Sequence, residues 1–276
     1  MRLWSGTAAT LMMLVPTALL AACQPDEAPG AVENAADTTQ PPAPPEVPEP
    51  VAGEAEAVEE KTDAYEFAYS WPAPAGAIAP LAERLAQERN KQRAELKQEA
   101  EDWQKQAAQE GFNAPPYAFS KEWEVVTDLP RFLSLSAGIY TYSGGAHGMS
   151  YSDALVWDRQ AAAAIKPVDM FLSEGSLDRA VQTRFCAELD RQRAKKRGAP
   201  VKRSDDSFSD CIAPVANSTV ILGSASGQGF DRVGFLVPPY NAGPYAEGSY
   251  EVTLAVDAAL IDAVKPEYQR FFTPGG

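Results

Sequence analysis

Residues 24 to 62 decide where this chain can fold, because they hold almost nothing from which a core could be built. The stretch is rich in Ala, Pro, Glu and Asp, with Pro41-Pro42-Ala43-Pro44-Pro45 and Pro48-Glu49-Pro50 at its centre. Low hydrophobicity with one-sided charge marks a segment whose burial cannot offset the entropy of ordering it. The prolines favour extended, semi-rigid backbone. We read residues 23–62 as a disordered tether, which confines folding to residues 63–276. The tether also carries much of the net charge of −14, and the acidic total argues against nucleic acid as a partner.

Ahead of the tether come a positive Arg2, an apolar run from about Ala8 to Leu20 and the small residues Ala21 and Ala22, then Cys23. That order predicts a signal peptide over residues 1–22. The run is broken by Pro16 and falls short of the roughly 20 apolar residues that span a bilayer. Leu20-Ala21-Ala22-Cys23 resembles the bacterial lipobox, which implies cleavage before Cys23 and lipidation of its thiol. The alternative is an ordinary signal peptide ending at a chance cysteine. Stable anchoring takes two or more acyl chains, as a triacylated Cys23 would have. The expectation is a lipoprotein held to the membrane through its N-terminal lipid. With Gln24 rather than Asp after the cysteine, the address is the outer membrane facing the periplasm in a Gram-negative cell, or the plasma membrane in a Gram-positive one.

Residues 63–276 read as one α+β module, with two subdomains at 63–143 and 144–276 as an alternative. Alternation in Tyr65–Tyr69, Arg131–Ser143 and Ser150–Asp158 predicts strands. Leu133, Leu135, Ala137 and Ile139 share one face of the second of these. The Gly-rich Ser143–Gly148 joins it to the third as a hairpin. Ile78, Leu81, Leu85, Leu96 and Trp103 mark one face of a long helix that ends by Gly111. Ile165–Leu172 reads as a turn with a short helical piece, and Ser176–Arg197 as a second amphipathic helix. Thr219–Leu222, Arg232–Val237 and Tyr250–Val256 are expected strands, and Asp257–Val264 a short C-terminal helix with Asp257 as its N-cap. Strands and helices without regular βαβ alternation predict a mainly antiparallel sheet. Cys186 and Cys211 are expected to pair, since an exported chain meets an oxidising compartment. The alternative is two buried thiols.

The stretch Tyr140-Thr-Tyr-Ser-Gly-Gly-Ala-His-Gly-Met149, then Trp157-Asp158 and Pro167-Val-Asp-Met-Phe171, resembles the envelope module shared by the lysozyme-sensing anti-sigma factor RsiV and the peptidoglycan deacetylase PdaC. Gly234-Phe-Leu-Val-Pro-Pro-Tyr240 and Gly243-Pro-Tyr245 resemble a second signature of that family. The resemblance implies an extracytoplasmic α+β domain, and in the RsiV case binding of lysozyme. Deacetylase chemistry belongs to a separate catalytic domain, which nothing here resembles.

His147 is the only histidine, whereas a hydrolytic zinc site usually has three protein ligands, commonly including two or more histidines. No catalytic set, metal site or cofactor is expected. His147 has a structural reading, fixing its hairpin by hydrogen bonds, and a catalytic one with a nearby Ser143, Ser150 or Asp153. Candidate ligand-binding residues are Tyr140, Tyr142, Gly144, Gly145, His147, Gly148, Tyr240 and Tyr245. Their aromatic rings offer either a platform for a sugar or the packing of a sheet. A basic run of Arg191, Arg193, Lys195, Lys196, Arg197, Lys202 and Arg203 could meet anionic lipid or wall polymer, or be a solvated helix end. The functional expectation is a non-catalytic envelope module that binds peptidoglycan or a wall-degrading protein such as lysozyme. A wall hydrolase using His147 and a purely structural envelope protein are the alternatives.

Overall fold

Alternation of buried and exposed side chains builds the larger of two sheets, whose strands stand in chain order: β1 (Glu56–Lys61), β2 (Tyr65–Trp71), β3 (Tyr117–Asp128), β4 (Phe132–Tyr142), β5 (Met149–Asp158) and β6 (Ala163–Ile165). All neighbouring pairs are antiparallel except β2 with β3. That parallel pair requires a crossover, supplied by the short α1 (Ala73–Gly76) and the long α2 (Ala79–Glu110). These elements come from a computed structural model that describes residues 53–204 and 208–276. Cys23, the signal segment and the tether through residue 52 lie outside the described residues.

Tyr65, Phe67, Tyr69 and Trp71 of β2 alternate inward and pack with Leu81, Leu85, Leu96 and Ala100 of α2, as do Leu133, Leu135, Ala137 and Ile139 of β4. Gly111, at φ 75°, closes α2 in the left-handed conformation that glycine tolerates. A second core forms on the opposite face of β4 and β5. There Phe132 and Val156 meet α3 (Glu174–Arg197), α4 (Ala258–Ala263) and a three-stranded antiparallel sheet of β7 (Thr219–Gly223), β8 (Arg232–Val237) and β9 (Tyr250–Ala255). Phe132 touches Phe230 and Phe271, and Phe185 of α3 meets Phe235 edge-on at 5.4 Å. A last short helix, α5 (Pro266–Gln269), follows α4. The N-caps are Ser173, which accepts from the Ser176 amide, and Asp257, which accepts from the Leu260 amide.

The α+β class, the mainly antiparallel larger sheet, the two longer helices and the short C-terminal helix agree with the sequence reading. Two boundaries and one strand do not. The expected tether runs into β1, whose Glu56 and Glu60 face Arg89 and Arg93 of α2, so an acidic stretch becomes a sheet edge by pairing its charges. A division at 143/144 would cut the β4–β5 hairpin, in which Phe132 through Thr141 pair with Asp158 through Met149. And β3 went unread because Lys121 occupies an inward position between Phe119 and Trp123. Lys121 is 3% exposed. Its amine bonds Glu88 of α2 and Asp153 of β5, the latter at 2.7 Å, and lies 4.4 Å from the Trp123 ring centre.

The smaller sheet covers only one end of the outer face of the larger one, where Phe132, Ser134 and Val156 are buried. Toward Tyr140 and Ser150 that face stays open.

Candidate functional site

At the open end the β4–β5 hairpin turns through Gly144 and Gly145, both at positive φ (96° and 92°). A side chain there would meet nothing within 4 Å, so backbone conformation rather than space calls for glycine. Gly148 has the opposite reason. A Cβ on it would collide with the Tyr140 ring and the Thr141 carbonyl. Tyr140 therefore lies across the Gly148 backbone.

The Gly148 carbonyl is the hub of the site. It accepts from His147 Nδ1 at 2.9 Å and from the Tyr245 hydroxyl at 3.1 Å. The His147 ring stacks on Tyr245 with centroids 3.9 Å apart and planes 17° from parallel. A carbonyl can only accept, so Nδ1 carries the proton, while Nε2 is hydrogen-bonded to the Tyr240 hydroxyl at 3.2 Å. The structure thus brings Tyr140, His147, Gly148, Tyr240 and Tyr245 together from positions about a hundred residues apart. Tyr142 stays out of this group, its hydroxyl donating to Gly145 O at 3.1 Å within the hairpin.

The loop carrying Tyr240 and Tyr245 has its own scaffold, and this was not read from the sequence. Tyr240 sits at φ 72°, held by its amide on Gly243 O at 3.1 Å. Arg193, fully buried, donates from Nε to Ala242 O at 2.9 Å and from Nη1 to Asp210 O at 2.6 Å. Lys196 donates to Glu247 O and Ser249 O, both at 2.6 Å, and Arg197 pairs with Glu247 at 2.8 Å. Burial opposes ionisation of Glu247, but hydrogen bonds from Arg197 and Tyr250 outweigh it and hold the carboxyl below the ordinary glutamate value. Burial, then the bond to Glu247, push the Tyr250 hydroxyl up to about 12. With Arg191 on Glu188 and Arg203 on Asp190 at the surface, most of the basic run is engaged by partners in the same chain. Arg193, Lys196 and Arg197 thereby serve the Tyr240 loop rather than solvent. Cys186 of α3 and Cys211 are joined in a disulfide, their Cα atoms 5.5 Å apart.

Among the described residues His147 forms no hydrogen bond or ion pair with a carboxylate or serine. Its partners are Gly148 O, the two tyrosines and nothing else among the described residues. Asp153, once a candidate partner, is bound to Lys121. Among the described residues no group of three or more His, Cys, Asp or Glu could hold a metal ion, and no helix is long and apolar enough to cross a membrane. The arrangement can stack, donate and accept, and it pins the hairpin of one sheet to a loop of the other. Its removal in His147→Ala is expected to cost about 1 kcal/mol, from one stacking contact and hydrogen bonds of modest net worth. Urea unfolding checks this; an unchanged midpoint would mean that the pin does not hold.

Beside the cluster, a trough of about 1020 Å³ crosses the outer face of the larger sheet, with Tyr140 on its rim. The model of a family described as Deacetylase PdaC matches residues 58–150, from β1 to the start of β5. The PdaC-like character read from the sequence therefore stands over that third of the chain, which includes β4, the hairpin turn and most of the trough. A DUF3298 family member from Bacteroides fragilis has a solved structure at 16% identity and TM-score 0.48, with 74% of this chain and 91% of that one covered. A DUF3298 family protein from Pseudomonas aeruginosa PAO1 is similar at 16% identity and TM-score 0.46, covering 82% and 99%. No curated protein matches.

Proposed function

We propose that this chain is a lipid-anchored module of the cell envelope that binds a wall component or a wall-degrading protein, with no chemistry of its own. The carrying observation is the closed hydrogen-bond circuit at His147. With Nδ1 on Gly148 O and Nε2 on the Tyr240 hydroxyl, the one histidine is used as a fastener, and among the described residues no serine or carboxylate is hydrogen-bonded to it. The matched family bears the name of a deacetylase, yet a single histidine falls short of the usual ligand set of a hydrolytic zinc site. We therefore carry over the binding module and not the activity. Export and lipidation at Cys23 supply the address, and the tether sets the reach from the membrane.

Incubating the full-length chain with purified peptidoglycan sacculi and, separately, with immobilised lysozyme tests the reading. Retention by at least one is expected, and retention by neither would sink it. Turnover of muropeptides that disappears in His147→Ala, with the fold intact, would establish the hydrolase instead.

A further inference from the structure

We infer that the trough on the outer face of the larger sheet is the ligand seat of this module and takes a basic polypeptide segment. The inference rests on the binding reading above and adds the place and the partner's chemistry.

Cross-strand register shows how the trough is made. Partners directly opposite in adjacent strands share a face, so one outward row crosses the sheet as Ala57, Ser70, Glu122, Gly138 and Ser152. Apart from Glu122 these are the smallest side chains available, and the trough exists because that row is low. The next row holds Glu59, Ser120, Tyr140 and Ser150, with Glu59 at one end and the Tyr140 ring near the other. Five strands at the usual spacing give a length of about 19 Å, the span of roughly six residues of extended chain.

Gly138 is the sharpest single sign. It lies in the interior of β4 without a positive φ, and a Cβ on it would meet nothing within 4 Å. Neither conformation nor crowding within the chain requires glycine, which weakens a strand. An unforced glycine on an open strand face fits a place where another molecule approaches the backbone closely.

Charge selects the occupant. Glu59, Glu122 and Glu124 line the trough and form no ion pair among the described residues, while Glu56 pairs with Arg89. The lining's one cation, Lys121, is buried on the other face between Glu88 and Asp153. A wall polymer bearing its own carboxylates would be repelled. A lysine- or arginine-bearing segment would meet three free carboxylates, serine hydroxyls for its backbone and the exposed Tyr140 ring for a cation–π contact.

Titration of the full-length chain with a short Lys/Ser peptide, its Glu/Ser counterpart and chitotetraose tests this. Only the Lys/Ser peptide should bind. Gly138→Phe, which fills open space, should weaken it about tenfold at unchanged melting temperature. Glu122→Gln with Glu124→Gln should weaken it about as much, and carries the test if Gly138→Phe fails to fold. The same charge change at Glu83 and Glu110, on α2 across the sheet, should leave it within about twofold. The inference is overturned if no Lys/Ser peptide binds, if the Glu/Ser peptide or the sugar binds equally, or if the α2 control weakens binding as much as the trough variant. Lysozyme retained equally by wild type and both trough variants would keep the binding reading and refute this site. A trough-sensitive Lys/Ser complex without retention by lysozyme or sacculi would keep the site and refute those ligands.

Discussion

Arg193→Ala is expected to destabilise the protein by about 3–5 kcal/mol, a large share of the stability of a domain this size. The side chain is fully buried and reaches two backbone carbonyls, Ala242 O and Asp210 O, along with Asp190 at 3.4 Å. Truncation takes the donor from Asp210 O and leaves Ala242 O with only the longer bond from Arg197 Nη2 at 3.4 Å, and hydrogen bonds to a charged group are each worth about 1.5–3 kcal/mol. Arg193→Lys should recover only part of the loss, since an ammonium cannot span both acceptors as the guanidinium fork does. Urea unfolding should show a lower midpoint at constant slope. A loss below about 1 kcal/mol would mean that the loops carrying Ala242 and Asp210 hold without the clamp. The Tyr240 loop should loosen as well, weakening the His147 stack at the hairpin tip.

Breaking the Cys186–Cys211 disulfide, by reduction or by Cys186→Ser with Cys211→Ser, should cost about 3 kcal/mol in the chain-entropy account for a loop of this length. The sequence separation is 25, and Cys186 is buried on α3 beside Phe185. Asp210, whose carbonyl Arg193 holds, directly precedes Cys211. Arg193 and the disulfide therefore restrain one loop, and their losses should not add. The combined variant is expected to lose less than the sum, because a loop released by one change has little left to lose to the other. Full additivity in the unfolding midpoints would show that the two act independently.

These two restraints differ in how plainly the residues announce them. Two cysteines in the expected folded part of a chain that reads as exported suggest a bridge by count and compartment alone. Arg193 sits in a run of cations that reads as solvated or anion-seeking. It becomes a clamp only because α3 turns that position toward the Ala242 and Asp210 loops. The same holds for Lys121, whose charge hides a strand position until Glu88 and Asp153 arrive from α2 and β5 to pair with it. β1 is a further case, since its acidic pattern belongs to a tether until arginines of α2 stand opposite.

The glycine-rich hairpin shows both sides within a few residues. From the residues alone the chain turns at Gly144 and Gly145, and a local turn needs only local backbone freedom. Tyr140, His147 and Gly148 could also be singled out together with Tyr240 and Tyr245. Their roles could not be read that way, because a hydrogen-bond partner 93 positions away is set by the packing of two sheets and not by any spacing along the chain. The trough was not legible at all. Its row of small residues takes one from each of five strands, and such a row exists only once register is fixed. By itself, the sequence determined the α+β class, the periodicities of most strands and of both long helices, and the pairing of its cysteines, all of which follow from local composition and repeat. Tertiary structure alone decided which charges are buried and paired, which face of the sheet stays open and where His147 is fastened. Those depend on contacts between segments far apart in the chain, and no local pattern encodes them.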